Sequence, residues 1–369
     1  MTAFLKKINK YVPTASMVII ALGVITAGIN AAYVLSTPFA DWFNSNVSSV
    51  LRMGLAYLTS WIPFSLAEYC LIASPFIVAA IIAVSVKYAS THENGFVRAV
   101  TAILSVIVAV YIVFALNFGA GYRTTTLDKR MELDDHGVRA GELFDTMTTV
   151  VERINALEGE VKYQLDNGSI MPYSNKECVE KCVRSYDKLA EKYDFITSFK
   201  SPVKEIILSP YMTYTHISGV YTFFTGEANL NTNFPDFVNA YTIAHEMAHQ
   251  RGIARENEAN FIAYLVCINS EDKYLQYSGY MNMYQYLAEA LYKASPTLYA
   301  KAAVNLSNSG KYELQCYSKF FDKYRDNVAA DVSGTVNDKY LTAQGTEGER
   351  SYGMVVDLAV AYHKAENKD

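Results

Sequence analysis

Two histidines stand four residues apart in the run His245-Glu246-Met247-Ala248-His249. On a helix such residues project from one face about 6 Å apart, close enough for both imidazoles to grip one zinc ion. Glu246, beside the first histidine, can take a proton from the zinc-bound water and so make it a nucleophile at neutral pH. With only six histidines in 369 residues, this placement points to a zinc hydrolase, in the first instance a peptidase.

The flanking sequence supplies the elements that would position these groups. Pro235 and Asp236 give a helix start, and Val238, Tyr241, Ile243 and Ala244 give it an apolar side. Gly252 sits where a left-handed residue would end the helix and reverse the chain. A second helical run from about Ala254 to Asn269 would then bring Glu256, Glu258 and Asn260 back toward the metal. A glutamate there is the expected third ligand, with the fourth position open for water.

The run Glu256-Asn257-Glu258-Ala259-Asn260-Phe261-Ile262-Ala263 resembles the E-x-x-A-(D/N)-x-x-A helix of glutamate-liganded, gluzincin-like zinc peptidases. Membrane peptidases of the prenyl-protein and heat-shock type carry it, as do the metallopeptidase-like repressor-cleaving proteins. The resemblance implies Glu256 as third ligand and Asn260 as the residue that orients a histidine ligand. In those families the glutamate helix lies further beyond the histidines, whereas Glu256 follows His249 by seven residues, so Glu258 stays open as the alternative.

The whole layout also resembles an uncharacterised bacterial family with three N-terminal membrane helices and a C-terminal domain carrying H-E-x-A-H-Q-x-G and E-x-E-A-N-F. Thr242 to Leu265 is the most specific segment, with further similarity from Gly219 to Asn229 and from Tyr340 to Gly353. It implies a zinc-metallopeptidase-like domain but no particular substrate.

The membrane reading stands on its own. An apolar stretch runs from about Met17 to Leu35, Tyr69 to Val86 is uncharged between Glu68 and Lys87, and Ala99 to Tyr122 is uncharged between Arg98 and Arg123. Each reaches the roughly 18 residues that favour a spanning helix. Pro75 inside the second is tolerated in such helices. Lys6, Lys7 and Lys10 before the first span, with Lys87 and Arg98 after the second, place those segments in the cytoplasm and everything beyond about Gly121 outside. The chain is therefore expected as a multi-pass protein of the bacterial cytoplasmic membrane with an extracytoplasmic catalytic domain.

The expected fold is mainly α with a small β-sheet (α+β): a membrane domain over residues 1–122 and a zincin-like soluble domain over 123–369. Gly137 to Gln164 and Ser174 to Tyr193 have helical spacing, Met354 to His363 reads as a closing helix, and Glu205 to Leu208, Thr213 to Ile217 and Gly219 to Phe224 read as strands. A strand just before the zinc helix could pair with extended substrate, bringing Glu227, Asn229 and Asn231 near the cleft; a polar turn is the alternative. Stabilising the reaction's oxyanion needs a further donor, for which Tyr352 and Tyr214 are candidates. His216 and His363 read as packing or surface residues.

With a net charge of −5, no basic cluster and no glycine-rich phosphate loop, the sequence supports neither nucleic-acid nor nucleotide binding. The expected partners are the lipid bilayer and a peptide or protein substrate. Of five cysteines, Cys178 and Cys182 read as structural, and a Cys267–Cys316 bridge is possible if the domain is outside. The competing functional reading is a catalytically inactive zinc-binding membrane protein, a sensor or scaffold. A complete H-E-x-x-H argues against it, because a purely structural site has no need of Glu246.

Overall fold

The three uncharged runs form helices α1 (Thr14–Leu35), α4 (Leu66–Thr91) and α5 (Gly95–Asn117) in a computed structural model that describes residues 8–134, 137–348 and 354–366. All three are long and apolar enough to cross a membrane. Between the first two lie α2 (Thr37–Phe43) and α3 (Ser49–Ser60), joined through one turn of π-helix. Ser65 caps α4 through the Glu68 N–H, and Pro75 lies inside that helix without ending it.

Backbone contacts divide the chain into two units, Met1–Thr124 with Thr222–Gly226, and Thr125–Tyr221 with Glu227–Asp369. Within the first unit, α1 approaches α5 at Gly23, where a Cβ would collide with Val108 Cγ1. Asn30 Nδ2 donates to the Tyr111 hydroxyl at 2.9 Å, a bond between polar groups within two apolar helices. Arg52 is buried and gives its guanidinium to Asn44 Oδ1 at 3.0 Å and Asn117 O at 2.7 Å, which satisfies the charge away from water. The short segment 222–226 is held in this unit by Asn117 Nδ2 on Phe223 O and Thr59 Oγ1 on Thr225 O.

The second unit is mostly helical. Its core surrounds α8 (Asp236–Gln250), which is buried along nearly its whole length. Earlier in the chain come α6 (Ala140–Ala156) and α7 (Asn175–Lys192); after it come α9 (Glu256–Ile268) and α10 (Lys273–Ala294). Helices α11 (Pro296–Ala303), α12 (Asn308–Asp322), α13 (Val328–Ala343) and α14 (Val355–Glu366) follow. Apolar side chains of α6, α7, α9 and α10 join those of α8 in one cluster.

Two small sheets accompany the helices. Strands β1 (Lys162–Gln164) and β2 (Gly168–Ile170) form an antiparallel hairpin. Strands β3 (Val203–Glu205), β4 (Gly219–Thr222) and β5 (Glu227–Leu230) form a second sheet in the order β3-β5-β4, with β3 parallel to β5 and Lys204 opposite Asn229.

Several sequence expectations change here. The helix expected over 137–164 spans only Ala140–Ala156; a 3-10 turn over Glu158–Glu160 follows, and then the β1–β2 hairpin, whose turn Asp166 and Gly168 close with positive φ. Thr213 to Ile217 is not a strand: Pro210 opens a short helix, Ser209–Met212, and a 3-10 turn follows over Thr213–Thr215. Thr213 turns its hydroxyl back onto Ser209 O at 2.9 Å rather than joining a ladder. Glu227, Asn229 and Asn231 are not a polar turn. Glu227 and Asn229 lie in the central strand, and all three are buried.

All five cysteines are free, so the possible Cys267–Cys316 bridge is not formed. Cys267 faces the core within electrostatic reach of Cys178 and Cys182, while Cys316 on α12 packs near Gly168 of the hairpin. Cys178 and Cys182 are fully buried on the inner face of α7.

Candidate metal centre

Helix α8 is locked into the core by side chains that bond its carbonyls. Tyr186 gives its hydroxyl to Ala244 O at 2.7 Å, and Ser278 and Asn282 both donate to Phe237 O. A helix so held fixes its i, i+4 pair. The rings of His245 and His249 meet edge to face with centroids 4.7 Å apart and their Nε2 atoms 3.0 Å apart.

The end of α8 brings in the third group. Gly252 adopts φ +93°; its N–H bonds His249 O at 2.9 Å and the Ile253 N–H bonds Ala248 O at 3.2 Å. That paired closure is the Schellman turn, and it requires a residue at ease with left-handed backbone. The turn does two things for the site. It sets Ile253 O 2.7 Å from His249 Nδ1, so a neutral His249 carries its proton on Nδ1 and has Nε2 available to a metal. It also starts α9 four residues later, with Glu256 Oε2 at 3.3 Å from His245 Nε2 and 3.5 Å from His249 Nε2.

The ligand atoms of His245, His249 and Glu256 all lie within 4.8 Å of one another and could hold a metal ion. The electrostatics favour a cation at this point. Burial works to lower the pKa of His249, yet the Glu256 charge and hydrogen bond, with Glu246, outweigh it and lift it to about 9. Burial works to raise Glu256, and the two histidines outweigh it and hold the carboxyl well below its usual range.

Glu258, the sequence's alternative ligand, is committed elsewhere. Its Oε1 accepts the Leu127 N–H at 3.1 Å and a 2.8 Å bond from Arg255, which fastens the start of α9. Asn260 does not make the bond to a histidine that the sequence resemblance implied. Its Nδ2 is buried without a partner while its backbone O accepts the Tyr241 hydroxyl at 2.6 Å, and His249 is oriented by Ile253 O instead.

Glu246 lies beside the two histidines. Burial raises its carboxyl above the usual value despite the opposing influence of His245 and His249. The Tyr221 N–H of β4 bonds it, and its Oε2 is buried with no partner. Of the tyrosines considered in the sequence, Tyr214 packs edge-on against Tyr324 with centroids 5.0 Å apart, and Tyr352 lies outside the described residues. Sequence reasoning passed over Tyr286 on α10. Burial first, then Tyr317 and Glu256, raises the pKa of its hydroxyl, so Glu256 is within its electrostatic reach. Nothing in the local sequence separates it from 28 other tyrosines.

The chain belongs to the family described as "Protein of unknown function (DUF3810)", whose model matches residues 43–360. No curated protein and no solved structure matches it.

Proposed function

We propose that this member of the DUF3810 family is a membrane-anchored zinc peptidase of the bacterial cytoplasmic membrane, with its catalytic domain on the extracytoplasmic side. The observation that carries the reading is Glu246 Oε2, a buried carboxylate oxygen with no partner, next to a cluster of two imidazoles and one carboxylate. Two nitrogen donors and one oxygen donor suit zinc, and three is the number of protein ligands that leaves a catalytic position open. Among the described residues the group has those three members.

His245, His249 and Glu256 would hold the ion. When bound, zinc supplies a Lewis acid that polarises the scissile carbonyl and acidifies water. The remaining chemistry belongs to the chain. Glu246 Oε2 takes the proton of the attacking water and passes it to the leaving amine, the two halves of one general acid–base cycle. We assign Tyr286, which is within electrostatic reach of Glu256, as the candidate hydroxyl donor toward the developing oxyanion. Strand β4, at the edge of its sheet and bonded to Glu246, offers backbone to an extended peptide.

The test is Glu246→Gln in the full chain purified in detergent, assayed on a quenched-fluorescent peptide library. Zinc content should stay at the wild-type level while turnover falls by about 10²–10⁴-fold. Undiminished turnover would overturn the assignment.

A further inference from the structure

Strand β4 meets Glu246 more closely than a chance neighbour would. A Cβ added to Gly219 would sit 2.7 Å from Glu246 Cγ, 2.7 Å from its Oε1 and 2.6 Å from Thr242 Cγ2. Real Cβ atoms do not approach other atoms that closely, so only glycine lets the strand lie against this carboxylate. Gly219 has no positive φ, and space rather than backbone freedom is what it provides. Two residues on, the Tyr221 N–H reaches the same carboxylate. Because Oε2 has no partner, that bond falls on Oε1.

The strand is itself held. Asn229 Nδ2 bonds Val220 O at 3.0 Å, the Asn231 N–H bonds Ser218 O at 2.9 Å, and Thr242 Oγ1 donates to Ser218 Oγ at 3.1 Å. Buried amides of the central strand and the turn after it therefore fix β4 from one side, while Thr242, one helical turn before Glu246, fixes it to α8.

We propose that Gly219 and the Tyr221 N–H form a backbone clamp that anchors Oε1 of Glu246 and leaves Oε2 as its single free oxygen. Gly219 is a positioning residue: it touches no substrate and acts by setting where the carboxylate stands. The functional part of this inference rests on the peptidase reading. The positional part does not.

The positional part is tested on the metal-free full chain by a double-mutant cycle in melting temperature. With Thr242→Ser present throughout to remove the third crowded atom, Gly219→Ala should lower the melting temperature by several degrees, and the loss should at least halve when Glu246→Ala is added, where the two Glu246 atoms are gone as well. If Gly219→Ala fails to fold without Glu246→Ala, folding once Glu246→Ala is added carries the same meaning. An equal loss in both backgrounds, or failure of both to fold, overturns the clamp.

The functional part is read from kcat and KM on the peptide library. Gly219→Ala should lose about 100-fold in kcat, the cost of a displacement on the order of 1 Å, with zinc content and KM within twofold of wild type. Adding Thr242→Ser removes the methyl contact but not the Glu246 contact, so kcat should stay low. Recovery to wild-type turnover would make Gly219 a packing residue and overturn the proposal. Active Glu246→Gln would sink the peptidase reading itself, whereas inactive Glu246→Gln beside fully active Gly219→Ala would sink the clamp alone.

Discussion

Replacing Gly252 by alanine asks whether the turn after α8, rather than the two histidines alone, builds the centre. The residue sits at φ +93°. Holding an L side chain in left-handed backbone costs roughly 1–2 kcal/mol. In a unit of this size that corresponds to about 2–8 °C in melting temperature. The same turn presents Ile253 O to His249 Nδ1 at 2.7 Å. Loss of such a supporting bond lowers metal affinity by about 10–100-fold, or roughly 1.4–2.7 kcal/mol. The assay is zinc affinity by chelator competition on the full chain in detergent, alongside calorimetry of the metal-free protein. Gly252→Ala should lose in both. Wild-type affinity together with a lowered melting temperature would show that the turn matters to folding and not to the centre.

Two further outcomes follow from named groups. Tyr286→Phe, which keeps the ring and removes the hydroxyl, should lower kcat about 10²–10³-fold with zinc content unchanged; an unaffected kcat would exclude it as the donor. The hydroxyl of Tyr264 donates to His363 Nε2 at 2.7 Å, and burial, followed by the Arg153 charge, pushes His363 down to about 4. That folded value lies below the ordinary 6.5. Its contribution is therefore complete above pH 6.5 and is lost as the pH falls toward 4, amounting to about 2 kcal/mol by pH 5. The melting temperature of wild type should fall more between pH 7.5 and pH 5 than that of His363→Gln, and equal falls would contradict the coupling.

The parts of the site that read directly from sequence are those set by local geometry. The i, i+4 pair His245 and His249 needs only a helix, and Gly252 marks that helix's end by its own backbone freedom. Glu256 and Glu258 could not be separated that way, since both open the same turn of α9. Leu127, which lies 131 residues earlier, is one of the two groups that claim Glu258. Asn260 matched a motif position, yet the bond that orients His249 comes from a backbone carbonyl, which no side-chain pattern records.

The strands were hard to read for a related reason. Glu227-Ala228-Asn229-Leu230 is too polar to announce a buried strand, and it can be buried because Asn229 finds carbonyl partners on Val220 and Glu227. Thr213 to Ile217 has β-branched residues but follows Pro210, a helix-start signal that prevails. The Asp166-Asn167-Gly168 turn was likewise present in the sequence, inside a stretch whose spacing otherwise favoured a helix. The three long apolar helices needed no tertiary information at all.

Whether His245, His249 and Glu256 hold zinc is decided by the metal stoichiometry of the full chain. Elemental analysis should be run on wild type, Glu256→Gln and Glu258→Gln purified side by side. Gln keeps an acceptor for the Leu127 N–H at position 258, so that variant should fold. Wild type and Glu258→Gln should each hold one zinc per chain, and Glu256→Gln little or none. A folded wild-type chain without zinc, or zinc retained in Glu256→Gln and lost in Glu258→Gln, would contradict this ligand set.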